Sequence, residues 1–106
     1  MLFRSLCLPS LYTVLLAHAE PAHLASLRVV MVAGEACPGA LLPQHHARLP
    51  HARLYNEYGP TEGTVWCTAY QMPAEAETPV SIGRPIANAQ MYILDTHLRP
   101  VPVGVP

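Results

Sequence analysis

The sequence contains no lysine. That absence excludes a Walker-type phosphate loop, which ends on a lysine, and any lysine nucleophile within the chain. Charge of either sign is scarce. Charged residues make up 12% of the chain and the net charge is −1, so no basic field invites nucleic acid or an anionic membrane surface. The three cysteines, Cys7, Cys37 and Cys67, are evenly spaced, but their flanking residues share nothing and argue against an internal repeat. An odd count without tight spacing argues against a disulfide framework and a zinc site. It fits reduced, mostly buried thiols and a cytoplasmic protein.

Apolar residues and proline are abundant instead. Hydrophobic residues reach 51%, twelve prolines interrupt the chain, and 106 residues allow one domain with a modest core. So apolar a chain with so little charge has faces meant to meet other parts of a larger protein.

The N-terminal region has two readings. Arg4, the apolar stretch Leu11 to Ala17 and the small-x-small triplet Ala17-His18-Ala19 have the outline of a signal peptide ending near Ala19. Pro9, Ser10, Tyr12 and Thr13 break or dilute that stretch. The preferred reading is a strand from Leu2 to Leu8, then a helix from Pro9-Ser10 to His18. Pro9 suits its first turn, Ser10 its cap, and Leu11, Val14, Leu15 and His18 form one apolar stripe. Glu20-Pro21 ends this helix. Leu27 to Ala33 then reads as a strand covered on both faces, stopped by Gly34. Pro38-Gly39 opens a second helix running toward Arg48, with Pro43 in its first turn, and Pro50 closes it. Arg53 to Tyr58 is the next strand. Strand, helix, strand, helix, strand at this spacing predicts an α/β fold with a parallel or mixed sheet and flanking helices. Beyond Cys67 the pattern predicts a polar loop from Pro73 to Pro79 carrying Glu75 and Glu77, a strand from Gln90 to Leu94 and a turn at His97 to Pro100.

The chain is organised around Leu54 to Trp66. An apolar strand enters, Gly59-Pro60 forces a turn, and Thr61 and Glu62 follow at the strand end, where open α/β sheets bind ligands. A threonine hydroxyl can donate to a phosphate oxygen and a carboxylate can hold Mg²⁺. The stretch is thus a candidate nucleotide-phosphate loop. Other clusters read more plainly. His45, His46 and His51 point in different directions on or beyond a helix and are expected to be surface residues rather than a metal site. Glu35 and Glu62 have no fixed separation that would make them an acid/base pair. Tyr12, Tyr55, Tyr70 and Tyr92 are expected to pack rather than stack on bases.

Asn56-Glu57-Tyr58-Gly59-Pro60-Thr61-Glu62 resembles the Asn-x-Tyr-Gly-Pro-Thr-Glu core motif of the amino-acid adenylation domains of nonribosomal peptide synthetases, within the acyl-adenylate-forming family. Val30 to Ala36, Ser81 to Ile86 and Met91 to Asp95 agree with the family in type and order. The resemblance implies that residues 1–106 are a βαβαβ part of the large N-terminal subdomain of an adenylating enzyme, truncated at both ends. It implies ATP and Mg²⁺, an amino acid activated as aminoacyl-AMP, and transfer to a phosphopantetheine thiol on a peptidyl carrier domain.

By the same resemblance, Tyr58 lies against adenine, Asn56 bonds its polar edge, and Gly34-Glu35-Ala36 with Gly59 flank the ring. Thr61 touches the α-phosphate and Glu62 ligates Mg²⁺. Leu11, Met31, Ala33, Glu57, Val65 and Trp66 match the positions lining the substrate pocket. Glu57 and Trp66, if both point inward, imply a small or polar substrate side chain, including a cationic one; otherwise the pocket is shallow and apolar. The family's upstream phosphate-gripping loop, ribose-binding aspartate and catalytic lysine are absent here, so the chain alone is expected not to turn over. Two other classes predict different behaviour. A standalone nucleotide-binding or scaffold module would melt cooperatively and bind ATP, and a small secreted binding protein would be processed near Ala19 and carry a Cys37–Cys67 bridge.

Overall fold

The computed structural model describes residues 3–73, 75 and 78–104. Leu2 of the first predicted strand, Glu77 of the polar loop, and Val105 and Pro106 lie outside the described residues. Three short strands, β1 (Arg4–Cys7), β2 (Val29–Val32) and β3 (Arg53–Tyr58), run parallel in the order β1-β2-β3. The register pairs Cys7 with Val32 and Val32 with Asn56. Helix α1 (Pro9–His18) connects β1 toward β2, and α3 (Leu41–Arg48) connects β2 to β3. Two antiparallel strands, β4 (Thr68–Gln71) and β5 (Arg84–Pro85), complete a five-stranded mixed sheet.

One face of the sheet is closed. Val30, Val32 and Leu54 alternate inward from β2 and β3 and join Tyr12 and Leu16 of α1 with Leu41 and Leu42 of α3 in a single core. Burying a side chain of this kind stabilises the fold by about 1.5–3 kcal/mol. The opposite face is only partly covered: Val29 and Met31 are half-buried, so the continuous apolar run of β2 does not mean coverage on both sides, as the sequence predicts. A strand with one apolar face against helices needs only alternate residues hidden; here the residues between them are apolar as well.

The ends of α1 also differ from expectation. Its N-cap is Leu8, not Ser10, and its inward residues are Pro9, Tyr12 and Leu16 rather than the stripe of Leu11, Val14 and Leu15, which are exposed. The helix is apolar nearly all round, so periodicity alone does not select its buried face. A short helix, α2 (Pro21–Leu24), begins where Glu20-Pro21 was expected only to end a helix, because Pro21 suits a first helical turn. Helix α3 starts at Leu41, after a turn at Pro38–Ala40 in which Leu41 N–H bonds the Pro38 carbonyl at 3.0 Å.

The C-terminal third departs furthest. Gln90 to Leu94 is not a strand: it contributes one isolated bridge, Leu94 to Pro100. Asp95 holds the intervening turn by accepting from the backbone N–H groups of His97 (2.8 Å) and Arg99 (3.0 Å) and from the Arg99 guanidinium (3.2 Å). Local carboxylate-to-backbone bonds win there because no neighbouring strand pairs with the segment. Tyr92, expected to pack, is 64% exposed, and Ile93 and Leu98 are exposed as well. The molecule is elongated, 53 × 26 × 20 Å, with a radius of gyration of 15.7 Å. A compact domain of this length has about 13 Å. Among the described residues no helix is long and apolar enough to cross a membrane.

Candidate functional site

The chain turns sharply at the C-terminal ends of β2 and β3, and the two turns face one another across a cavity of about 690 Å³. Gly34, with φ +86°, ends β2 in the left-handed region that glycine tolerates, and Gly34, Glu35 and Ala36 form one wall. Cys37, Pro38 and Gly39 continue it toward α3. The other wall is the end of β3, Asn56 to Gly59, and a third side comes from Thr78, Pro79, Val80 and Ile82.

Gly59 is fixed by close approach. A Cβ there would overlap the backbone of Trp66 and Cys67, and Cys67 N–H bonds the Tyr58 carbonyl at 2.8 Å to start β4. The loop between them is a short 3-10 turn, Thr61–Gly63, followed by Thr64 (φ 59°) and Val65 (φ 77°). Two consecutive β-branched residues in left-handed conformations are strained, at a cost of order 1–3 kcal/mol each.

Two polar side chains of the cavity are already engaged. Glu35 accepts from Ser10, the backbone N–H at 3.1 Å through Oε2 and the hydroxyl at 3.0 Å through Oε1. This carboxylate, 25 residues distant, caps the positive end of α1, which has no acidic residue in its own first turn. Asn56, 4% exposed, donates from Nδ2 to the Ser81 carbonyl at 2.9 Å. A carbonyl can only accept, so the amide nitrogen must face Ser81, which leaves Oδ1 as the acceptor available to a ligand donor. Glu57 is buried, its Oε2 has no hydrogen-bond partner, and burial pushes its carboxyl above the ordinary range. Burial likewise pushes the Cys37 thiol up, so this wall carries a neutral thiol.

Of the sequence-predicted nucleotide residues, the cavity brings together Gly34, Glu35, Ala36, Asn56, Tyr58 and Gly59. Thr61 and Glu62 are exposed in the 3-10 turn and do not line it. Of the predicted substrate residues only Glu57 faces the cavity. Leu11 is exposed on α1, Val65 is exposed in the strained loop, and Met31, Ala33 and Trp66 are half-buried outside it. Met31 and Tyr55 are in register on the open face of the sheet, where Glu57 also lies by strand alternation. Sequence reasoning missed the Thr78–Ile82 wall. Its signal was the Ser81–Ile86 segment, which matched in type and order but implied no contact with Asn56.

The histidine reading needs correction. His45 is not a surface residue: it is fully buried, with Nδ1 2.6 Å from the Tyr12 hydroxyl and Nε2 2.8 Å from the Ala52 carbonyl. Residue His45 lies one helical turn from Leu41 on the buried side of α3, so helix phase rather than residue type decided its place. Among the described residues no three His, Cys, Asp or Glu side chains form a metal-holding group. Cys7, Cys37 and Cys67 are free and half-buried, so the bridge required by the secreted-protein reading does not form.

Comparison with known proteins gives this geometry a family. The model of the AMP-binding enzyme family matches residues 5–106. Phosphinothricin tripeptide synthetase PhsB of Streptomyces viridochromogenes is 51% identical over 82 residues, covering 76% of this chain and 7% of that protein. Bacitracin synthase 3 of Bacillus licheniformis is 44% identical over 101 residues, covering 95% of this chain and 2% of that protein. The chain thus spans only a few per cent of the length of these curated relatives. Among solved structures, the nonribosomal peptide synthetase FmoA3 in its alpha-methyl-L-serine-AMP bound form superposes with a TM-score of 0.85 at 31% identity, covering 95% of this chain and 12% of that one. The N-terminal subdomain of Klebsiella oxytoca NpsA shares the fold, with a TM-score of 0.80 at 20% identity, covering 98% of this chain and 26% of that one. The chain belongs to the AMP-binding enzyme family, among the adenylation domains of nonribosomal peptide synthetases, and has the mixed α/β sheet of their N-terminal subdomain.

Proposed function

We propose that this chain forms part of an adenylation domain, supplying its base-binding wall and a share of its substrate pocket. ATP and an amino acid are the substrates. A carboxylate oxygen of the amino acid attacks the α-phosphorus, the bond to the β-phosphate oxygen breaks, and pyrophosphate leaves with that electron pair. A phosphopantetheine thiol on a peptidyl carrier domain then loses its proton and attacks the acyl carbon, forming a thioester as the acyl–phosphate bond breaks and AMP leaves with that electron pair.

The observation that carries this reading is the bond from Asn56, which lines the cavity, to the Ser81 carbonyl. With one Nδ2 proton held by Ser81, the orientation of the Asn56 amide is fixed and its Oδ1 can accept from the 6-amino group of adenine, whereas a 6-oxo group of guanine placed against Oδ1 is repelled. Tyr58, 48% exposed at the rim, presents a ring face for the base, and the Gly34–Ala36 turn closes on its other side. The FmoA3 structures in AMPPNP-bound and alpha-methyl-L-serine-AMP-bound forms, both similar to this chain, support the assignment. Thr61 would donate to an α-phosphate oxygen, and Glu62 would hold Mg²⁺ together with phosphate oxygens and water. One exposed carboxylate suits Mg²⁺, which keeps several waters and takes one or two protein carboxylates. The metal's contribution is to neutralise charge on the phosphates as the carboxylate approaches.

The test is a titration of a complete adenylation domain carrying residues 5–106 with AMP and with GMP, followed by the NMR shifts of the Gly34 and Gly59 amides. AMP should move both, GMP should move them at least about tenfold less readily, and Asn56→Ala should erase the difference. Equal response to the two nucleotides, or none to AMP, would refute the reading.

A further inference from the structure

The wall formed by Gly34, Glu35 and Ala36 has little of its own to hold it still. All three residues are exposed, and among the described residues their backbone enters no backbone–backbone hydrogen bond. The last such bond before the turn runs from Ala33 N–H to the Cys7 carbonyl at 3.2 Å. Gly34, at φ +86°, is free to leave that conformation. Two contacts tie the turn to the start of α1 instead. A Cβ on Gly34 would stand 2.9 Å from Leu8 Cδ2, so the turn lies directly against the N-cap residue. Glu35 places both carboxylate oxygens on Ser10, Oε2 on the backbone N–H at 3.1 Å and Oε1 on the hydroxyl at 3.0 Å. That N–H has no partner within the helix, and Pro9 before it has no N–H at all. A carboxylate held at both oxygens is fixed in position and in rotation. Ser10 itself does not line the cavity.

We propose that Ser10 is a positioning residue for the nucleotide: by holding Glu35 at both oxygens it keeps the Gly34–Ala36 turn set as a wall for the base. Glu35 then serves the site through its backbone, because its acceptors face Ser10 rather than a ligand. The bond acts by choosing which conformation of the turn is populated. A wall that is in place only part of the time binds its ligand more weakly by that fraction. Removing the Ser10 hydroxyl leaves the backbone N–H bond to Oε2, so the loss is that of one hydrogen bond, about threefold to tenfold in AMP affinity. The inference rests on the adenylation reading and adds to it a residue outside the cavity.

A complete adenylation domain carrying residues 5–106 is titrated with AMP in its unaltered form and as Ser10→Ala, Ser10→Thr, Glu35→Ala and the double variant Ser10→Ala with Glu35→Ala. Dissociation constants are read from the Gly59 amide, on the opposite wall. A shift titration reports folded molecules only, so a loss of folded protein does not change the constant. Ser10→Ala should weaken AMP about threefold to tenfold. Before AMP is added, the same variant should shift the Gly34 amide and leave the Gly59 amide in place. Ser10→Thr keeps the hydroxyl and should restore the unaltered affinity. In the Glu35→Ala background Ser10→Ala should do nothing further, since its partner is already gone. Unchanged AMP affinity in Ser10→Ala would overturn the inference and leave the adenylation reading standing, even if that variant melts lower. A Ser10→Thr domain as weak as Ser10→Ala, or additive effects of the two alanines, would overturn it as well. If AMP does not bind the unaltered domain, both readings fall.

Discussion

Tyr12→Phe removes one oxygen and should cost far more than its size suggests. The Ala52 carbonyl can only accept, so His45 must carry its proton on Nε2, which lies 2.8 Å away. The Nδ1 lone pair must therefore accept, and the Tyr12 hydroxyl at 2.6 Å is its donor. Both residues are essentially inaccessible, at 1% and 0% exposure. Phenylalanine keeps the ring packing but strands a buried acceptor, a loss of about 1–3 kcal/mol. In a domain of this size each kcal/mol lowers Tm by about 4–8 °C, so the variant should melt at least about 4 °C lower by circular dichroism. His45→Leu supplies the control. In that background the tyrosine hydroxyl is the stranded group, and adding Tyr12→Phe should be neutral or stabilising. Burial also holds His45 below its ordinary pKa, against the Ala52 bond that favours its charged form. Between that lowered value and about 6.5, the unfolded chain binds a proton that the folded chain refuses, so stability falls as pH drops through this window. His45→Leu should flatten that slope. Equal Tyr12→Phe losses in both backgrounds, or no loss in the wild type, would refute the tautomer and the network.

Three further perturbations follow from the same geometry. Glu35→Ala removes the distant cap of α1 and should cost about 0.5–2 kcal/mol, with faster hydrogen exchange at the Ser10 amide; unchanged protection there would contradict the cap. Gly59→Ala places a Cβ into the Trp66 and Cys67 backbone, so the Cys67 amide should lose its protection while the Val30 and Val32 amides of the parallel strands keep theirs. Glu57→Gln should raise stability near neutral pH. The folded carboxyl holds its proton above the ordinary value, so wild-type stability declines as pH rises from about 4.5, and the variant should lack that decline; parallel urea-denaturation curves from pH 4 to 8 would rule this out.

The sequence by itself determined the parallel half of the fold and half of the site. Gly34 after Val30-Met31-Val32, Pro38-Gly39 before α3, and Gly59-Pro60 after Arg53 to Tyr58 are backbone instructions, legible because glycine and proline act locally whatever surrounds them. The motif placed Asn56, Tyr58 and Gly59 on one turn for the same reason. What only the tertiary structure decided are choices between faces and partners. Helix α1 is apolar all round, and only packing against β2 and β3 selected Tyr12 and Leu16 over Leu11 and Val14. His45 became a core residue because Tyr12 and Ala52, 33 and 7 residues away, supplied its hydrogen bonds. Glu35 turned into the cap of a helix 25 residues upstream, and Ser81 became the clamp on Asn56. Gln90 to Leu94 has strand-forming residues but no strand beside it, so its pairing failed. Local conformation is encoded by the residue that adopts it; burial and hydrogen bonding belong to pairs, and a pair exists only once the chain has folded.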